Sequence, residues 1–425
     1  MTQVKSLQTI LVLALMLSLI APFSVLADPS DPWYNASWGY RVAITIDDAQ
    51  VDADLTNYPV YVNLANLPAG FHTNVKSDGS DIRVTSGDGT TELAREVVIY
   101  DAATDTGELH FKAPTVANAS DTEFYIYYGN AAASEYGRGD TYGLENVWET
   151  NYRAVYHLQE DGNTTSGGYI DSTANDRHAT GVALTNASDV AGKLGTSQDF
   201  NGTSQYISLV SGTLTLAAGT TPLSMQAWIN ADSTGDKSEP IITSRSSTDA
   251  DPILGLMLGS DGVDNFETGF AAYIVRDNSA VGLQHAHDNT DLNNDTWNML
   301  HFTRTTGKVK TLYVNGVSEA SGTDTMANPL TSTIGAIGGE RRWIQDNQAP
   351  TFPNRKWFDG EIDEVRIYSG ALTAAWVDAE YSNHNTPTTF YAVGNEEAPA
   401  QPAPAARLIL NLGKFLLVGG QLLMY

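Results

Sequence analysis

Short runs in which apolar and polar residues alternate dominate this chain. In Tyr40–Ile46, Val42, Ile44 and Ile46 share one face while Arg41 and Thr45 take the other. That is the period-two pattern of a half-buried strand. Similar runs follow at 58–64, 81–85, 92–100, 107–112 and 122–128, with Ser86-Gly-Asp-Gly89 as an intervening turn. None has a helical period, so residues 31–135 are expected to form a β-sandwich. Beyond an Ala- and Gly-rich connector, a second domain is expected over 150–396. Its strands fall at 154–158, 199–207, 224–229, 297–303, 311–316 and 360–368, and Asn315-Gly316 is the strongest hairpin signal. One helix should follow: Thr373 can cap it, Leu372 and Val377 can staple it, and Val377 and Tyr381 share a face. The expected class is therefore all-β, two β-sandwich domains with a short C-terminal helix.

The two ends break the pattern. Lys5, the apolar run Ile10–Ala21, Pro22 and the small-residue site Val25-Leu26-Ala27 read as an export signal over 1–27, cleaved before Asp28. The alternative is an uncleaved anchor, for which the continuous run falls short of the ~20 residues of a membrane span. Residues 397–406 form a Pro/Ala linker, and 407–425 are an apolar tail. Asn411, Lys414 and Gln421 make that tail a poor span, whereas Gly419-Gly420 can turn a β-hairpin. An apolar hairpin on a linker invites self-association or docking by strand addition.

Charge narrows the partners. The net charge of −27 argues against nucleic acid and anionic membrane surfaces. There is no cysteine, so an exported chain of this kind must rely on its cores or on bound metal.

Two resemblances are specific. Trp33-Tyr-Asn-Ala-Ser-Trp-Gly-Tyr-Arg41, Asn57-Tyr-Pro-Val60, Asp81-Ile-Arg-Val84 and Phe124-Tyr-Ile-Tyr-Tyr-Gly-Asn130 resemble a domain known as domain of unknown function 2341 (DUF2341). It implies a β-sandwich on an exported protein and no known chemistry. Leu312-Tyr-Val-Asn-Gly316 and Ile362-Asp-Glu-Val-Arg-Ile-Tyr368 resemble the laminin-G-like (LamG-like) branch of the concanavalin A-like jellyrolls. That implies two stacked antiparallel sheets with a concave face that often binds sugars. The stretches 376–383 and 390–397 look like the usual ending of proteins that carry the first domain.

The chemistry these resemblances suggest is limited. Jellyroll glucanases carry a motif resembling Glu-x-Asp-x-Glu, whose carboxylates all point into a cleft. Glu361-Ile-Asp363 begins that pattern, but Val365 stands third, and alternation turns Glu364 to the opposite face. In jellyrolls of this kind the last-strand Asp often binds a structural Ca²⁺ with groups near the first strand. By position these are Asp363, Glu160, Asp161 and the carbonyl of Gly162, a set of hard oxygen donors suited to calcium. The plain alternative pairs Asp363 with an arginine such as Arg366. Asp171, Asn175 and Asp176 read as an Asp/Asn turn. His285 and His287 share a strand face without an evident third ligand, and Arg138-Gly139-Asp140 reads as a chance match to an adhesion tripeptide. No Gly-x-Ser-x-Gly elbow, phosphate loop or cysteine nucleophile occurs. Trp343 and Trp357 lie between strands and could stack on sugar rings; core packing is the competing use of a tryptophan.

These observations favour an exported cell-surface or secreted binding protein, without catalysis, that recognises a glycan or protein ligand in adhesion. The alternatives are a glycan-active hydrolase and an envelope protein assembling through its tail.

Overall fold

The computed structural model describes residues 32–215, 220–232, 238–245, 253–259, 269–276, 284–324, 335–339 and 357–399, with short strands at 25–26, 415–418 and 421–424. Strands dominate, in two sandwiches.

The first sandwich packs a sheet containing Tyr40–Ile46, Thr122–Tyr128, Arg83–Ser86 and Glu92–Leu93 against a three-stranded sheet of Leu55–Asn63, Thr106–Val116 and Arg95–Asp101. Val42, Ile44 and Ile46 enter its core beside Val60, Val62, Leu109 and Phe111, as alternation requires. Arg41 does not reach water as the alternation implied. Its guanidinium donates to Glu397, the Pro32 carbonyl and Tyr127, and lies over the Tyr125 ring. A fully partnered arginine can be buried.

The chain's C-terminal part completes this same sandwich. Tyr391–Ala398 pairs antiparallel with Tyr40–Ile46, so the second domain, expected to run to 396, gives up its last strand to the first. Hydrogen bonding that returns the chain to its start carries no local sequence signal. Val25–Leu26, inside the segment read as an export signal, runs parallel to Glu397–Ala398. Phe415–Val418 and Gln421–Met424 pair as a two-stranded hairpin.

The second sandwich stacks a seven-stranded sheet on an eight-stranded one. The eight-stranded sheet contains Tyr152–Tyr156, Thr196–Asn201, Asp359–Tyr368, Leu223–Ala231 and Trp297–Arg304. Between the sheets lie Phe200, Met225, Leu300, Phe302, Ile362, Val365 and Ile367. Asn315 and Gly316 take φ of +52° and +84° and close the hairpin between Val309–Val314 and Val317–Thr323.

The helix Ala374–Asn385 wedges between the two domains. Thr373 caps it by accepting from the Trp376 amide at 3.2 Å. Trp376 and Ala379 join the first core, while Val377 and Tyr381 pack on Trp228 of the eight-stranded sheet. Asn383 bonds both the amide and the carbonyl of Tyr61, satisfying the open edge of the Leu55–Asn63 strand.

Candidate functional site

The outer face of the eight-stranded sheet is buried at its centre, where charged residues lie beside the apolar patch of Trp228, Met299 and Tyr313. Its central strand, Asp359–Tyr368, carries a β-bulge: Glu364 and Val365 together oppose Ala227, between the pairs Asp363–Trp228 and Arg366–Gln226. Glu364 takes φ of +50°, rare for a residue with a Cβ. Ile362 and Val365 therefore both reach the core, three residues apart. Glu364 does not face away from Asp363 as strict alternation predicts. It joins Asp363 and Arg366 on the side facing the first domain.

There it meets residues from two other parts of the chain. His157 follows Tyr152–Tyr156, next to Leu158, which is also left-handed at φ +58°. Glu108 and His110 stand two apart on Thr106–Val116 of the first domain and so share a face. Glu364 Oε1 lies 2.5 Å from His157 Nδ1, Glu108 Oε1 lies 3.3 Å from that nitrogen, and His110 Nε2 lies 2.8 Å from Glu108 Oε1. One ligand atom from each of these four residues falls within 4.8 Å of the others, and all four residues are buried.

A ring of partners surrounds the four. His157 Nε2 meets Glu96 at 3.3 Å, and Glu96 accepts from Ser172 and from the Trp148 indole, both at 2.7 Å. Arg366 donates to Glu364 and, at 2.6 Å, to Glu380 of the helix, and its guanidinium lies over Trp148. Trp228 donates to His384 at 3.1 Å. Burial disfavours the His157 imidazolium, but the Glu364 and Glu96 carboxylates outweigh it and hold its pKa well above the ordinary value. Burial likewise opposes ionised Glu364, and His157 with Arg366 drives its pKa well below the usual carboxylate range. Burial lowers the pKa of His110 and holds that of His384 well below the usual value, which favours neutral rings.

The proposed calcium ligands do not converge. Asp363 is fully buried; it accepts from the Leu194 amide at 2.9 Å and its other oxygen has no hydrogen-bond partner. Burial first, then the charge of Glu364, pushes its carboxyl well above the usual range. Glu160 accepts instead from Ile170 at 2.6 Å, Asp161 is exposed, and Gly162 packs on the Thr185 carbonyl. Among the described residues, no group of three or more converging His, Asp and Glu ligands contains Asp363, Glu160 or Asp161.

Of the tryptophans, Trp343 lies outside the described residues. Trp357 is half-buried at the rim of the seven-stranded sheet, its ring 5.6 Å from that of Tyr206. The side chains of His285 and His287 also lie outside the described residues. Asp171 accepts from the Val155, Thr173 and Arg177 amides as a structural turn, and Arg138 is tied to Glu145 and the Asp171 carbonyl. A groove of about 350 Å³ opens at the domain junction beside Asn57, Lys112, Glu149 and Asn175. The junction cluster escaped sequence reading because its members lie up to 256 positions apart, from Glu108 to Glu364. Its one local trace is the Glu108-x-His110 pair on a strand.

Comparison with known proteins fits this architecture. Residues 201–378 match the concanavalin A-like lectin/glucanases superfamily, in its Laminin_G_3 branch. The second sandwich carries the concanavalin A-like fold. Residues 78–145 match DUF2341, so the two domains stand in the expected order. No curated protein matches the chain. Among solved structures, domain 4 of an extracellular GH43 arabinanase from Geobacillus stearothermophilus, in complex with arabinotriose, is similar at 20% identity and TM-score 0.38, over 54% of this chain and 98% of that one. The binding domain of Paraclostridial Mosquitocidal Protein 1 is similar at 13% identity and TM-score 0.38, over 54% of this chain and 52% of that one. The receptor binding domain of a botulinum neurotoxin C/D mosaic serotype is similar at 12% identity and TM-score 0.37, over 55% and 51%. This chain thus spans about half the length of the toxin domains. At such TM-scores these likenesses carry no argument for function.

Proposed function

We propose that the protein is an exported, non-catalytic binding protein whose concanavalin A-like domain offers its seven-stranded sheet and adjoining rim to a glycan. One observation carries this reading. The outer face of the eight-stranded sheet is covered by the first domain and by the helix Ala374–Asn385, through Trp228, Met299 and Tyr313 as well as the charged cluster. At the rim of the opposite sheet Trp357 is half-buried and offers its ring for stacking on a sugar. The carboxylates that a glycosidase would need support the same reading. Asp363 is fully buried, and Glu361 accepts from Asn230 at 2.6 Å. The export reading rests on the signal-like segment 1–27.

A glycan array probed with the protein starting at Asp28 tests this. Retention of a defined oligosaccharide class, weakened at least about tenfold by Trp357→Ala, is expected. An array without retained glycans would overturn the reading. Release of reducing sugar that Asp363→Asn abolishes would replace it with the hydrolase.

A further inference from the structure

We infer that Glu108, His110, His157 and Glu364 form a binding site for a divalent first-row transition ion, zinc by the chemistry of its donors, which joins the two sandwiches. The first domain supplies two donors and the concanavalin A-like domain supplies two. Two imidazoles and two carboxylates are a mixed nitrogen and oxygen set that suits Zn²⁺ better than Ca²⁺, which prefers six to eight oxygens.

The outward atoms of the donors carry the argument. A metal site holds each ligand by a second contact that fixes its orientation. Glu364 gives Oε1 to the cluster, and its Oε2 is held by Arg366. Glu108 gives Oε1, and its Oε2 accepts from Gln159 at 3.2 Å. His157 turns Nδ1 inward, and its Nε2 faces Glu96 at 3.3 Å, the carboxylate–histidine–metal arrangement. Glu96 is in turn fixed by Ser172 and Trp148. Only His110 lacks such a contact, its Nδ1 being buried without a hydrogen-bond partner.

The backbone points the same way. The left-handed Glu364, in a conformation unfavourable for a residue with a Cβ, aims a carboxylate that regular alternation would turn away. Donors on one zinc ion lie about 3.3 Å apart. The Glu364–His157 contact of 2.5 Å would therefore open on binding. The partly exposed group Asp47, Asp48 and Asp121 lacks nitrogen donors and is a control.

The test uses the full protein, because the site needs both domains. It is unfolded in denaturant and refolded with chelator, with Zn²⁺ or with Co²⁺. Zinc content by mass spectrometry should reach about one ion per chain. Co²⁺ should give the visible absorption of a four-coordinate site with imidazole ligands. Chelator-refolded protein should melt at a lower temperature than zinc-refolded protein. His110→Gln and Glu108→Gln should each weaken zinc binding at least about tenfold. Asp363→Asn, adjacent to the cluster but outside it, and Asp121→Asn should retain it. Should a variant fail to fold, the wild-type zinc content and cobalt spectrum still decide. Substoichiometric zinc with no cobalt spectrum, or zinc lost on Asp121→Asn and kept in His110→Gln, would overturn the site.

Discussion

The two faces of the eight-stranded sheet are both buried, yet they are built on opposite principles. Toward the seven-stranded sheet the strand Asp359–Tyr368 sends Ile362, Val365 and Ile367 into an apolar interior. Toward the first domain it sends Asp363, Glu364 and Arg366 into a network of histidines and carboxylates, each no more than 6% exposed. The apolar face gains from area removed from water and tolerates imprecise contacts. The charged face gains only if every group is matched, and it is costly to break.

Removing a charge from the network should have the largest effect. Arg366→Met leaves Glu364 and Glu380 buried without their shared cation, and a loss of about 3–5 kcal/mol is expected in denaturant unfolding. Replacing Glu364, Arg366 and Glu380 together by apolar residues of similar size should restore part of that stability. A triple variant weaker than Arg366→Met would contradict the network's account. On the apolar face, Leu300→Ala should cost about 2–5 kcal/mol through transfer and cavity terms, with no dependence on pH.

A pH titration of stability sharpens the contrast. Burial, then Arg366, lowers the pKa of His301 on the charged face to about 3 from an ordinary 6.5. The unfolded chain then binds a proton that the folded one refuses. The stability present above pH 6.5 should therefore fall as pH drops toward 3, by up to about 1.4 kcal/mol per pH unit from this group. His301→Gln should flatten that slope, and an unchanged slope would assign it elsewhere. The smallest effect belongs to the helix between the domains: Thr373→Ala should cost about 1 kcal/mol by removing its cap.

The same contrast explains what the sequence could reveal. Alternation located most strands of the first sandwich and several of the second, because Val42, Ile44 and Ile46 or Val365 and Ile367 announce a core by themselves; Ser238–Arg245, Ile253–Gly259, Phe270–Arg276 and Gln284–Asp291 of the seven-stranded sheet were not located. The Thr373 cap and the Asn315-Gly316 turn were legible for the same local reason. The bulge at Glu364 was not, since one left-handed residue reverses the face of its neighbour and has no apolar signature. Nor was the junction, because Glu108, His157 and Glu364 meet only after Tyr391–Ala398 has brought the end of the chain back to the first sheet. The surroundings of the calcium set were equally illegible: Asp363 lies in the expected strand and accepts from Leu194, while Glu160 accepts from Ile170.

A junction of matched buried charges should make the two sandwiches one cooperative unit. Differential scanning calorimetry of the full protein tests it directly. Wild-type protein should melt in a single transition covering both domains, and Arg366→Met should split it into two. Two separate transitions already present in the wild type would contradict the claim.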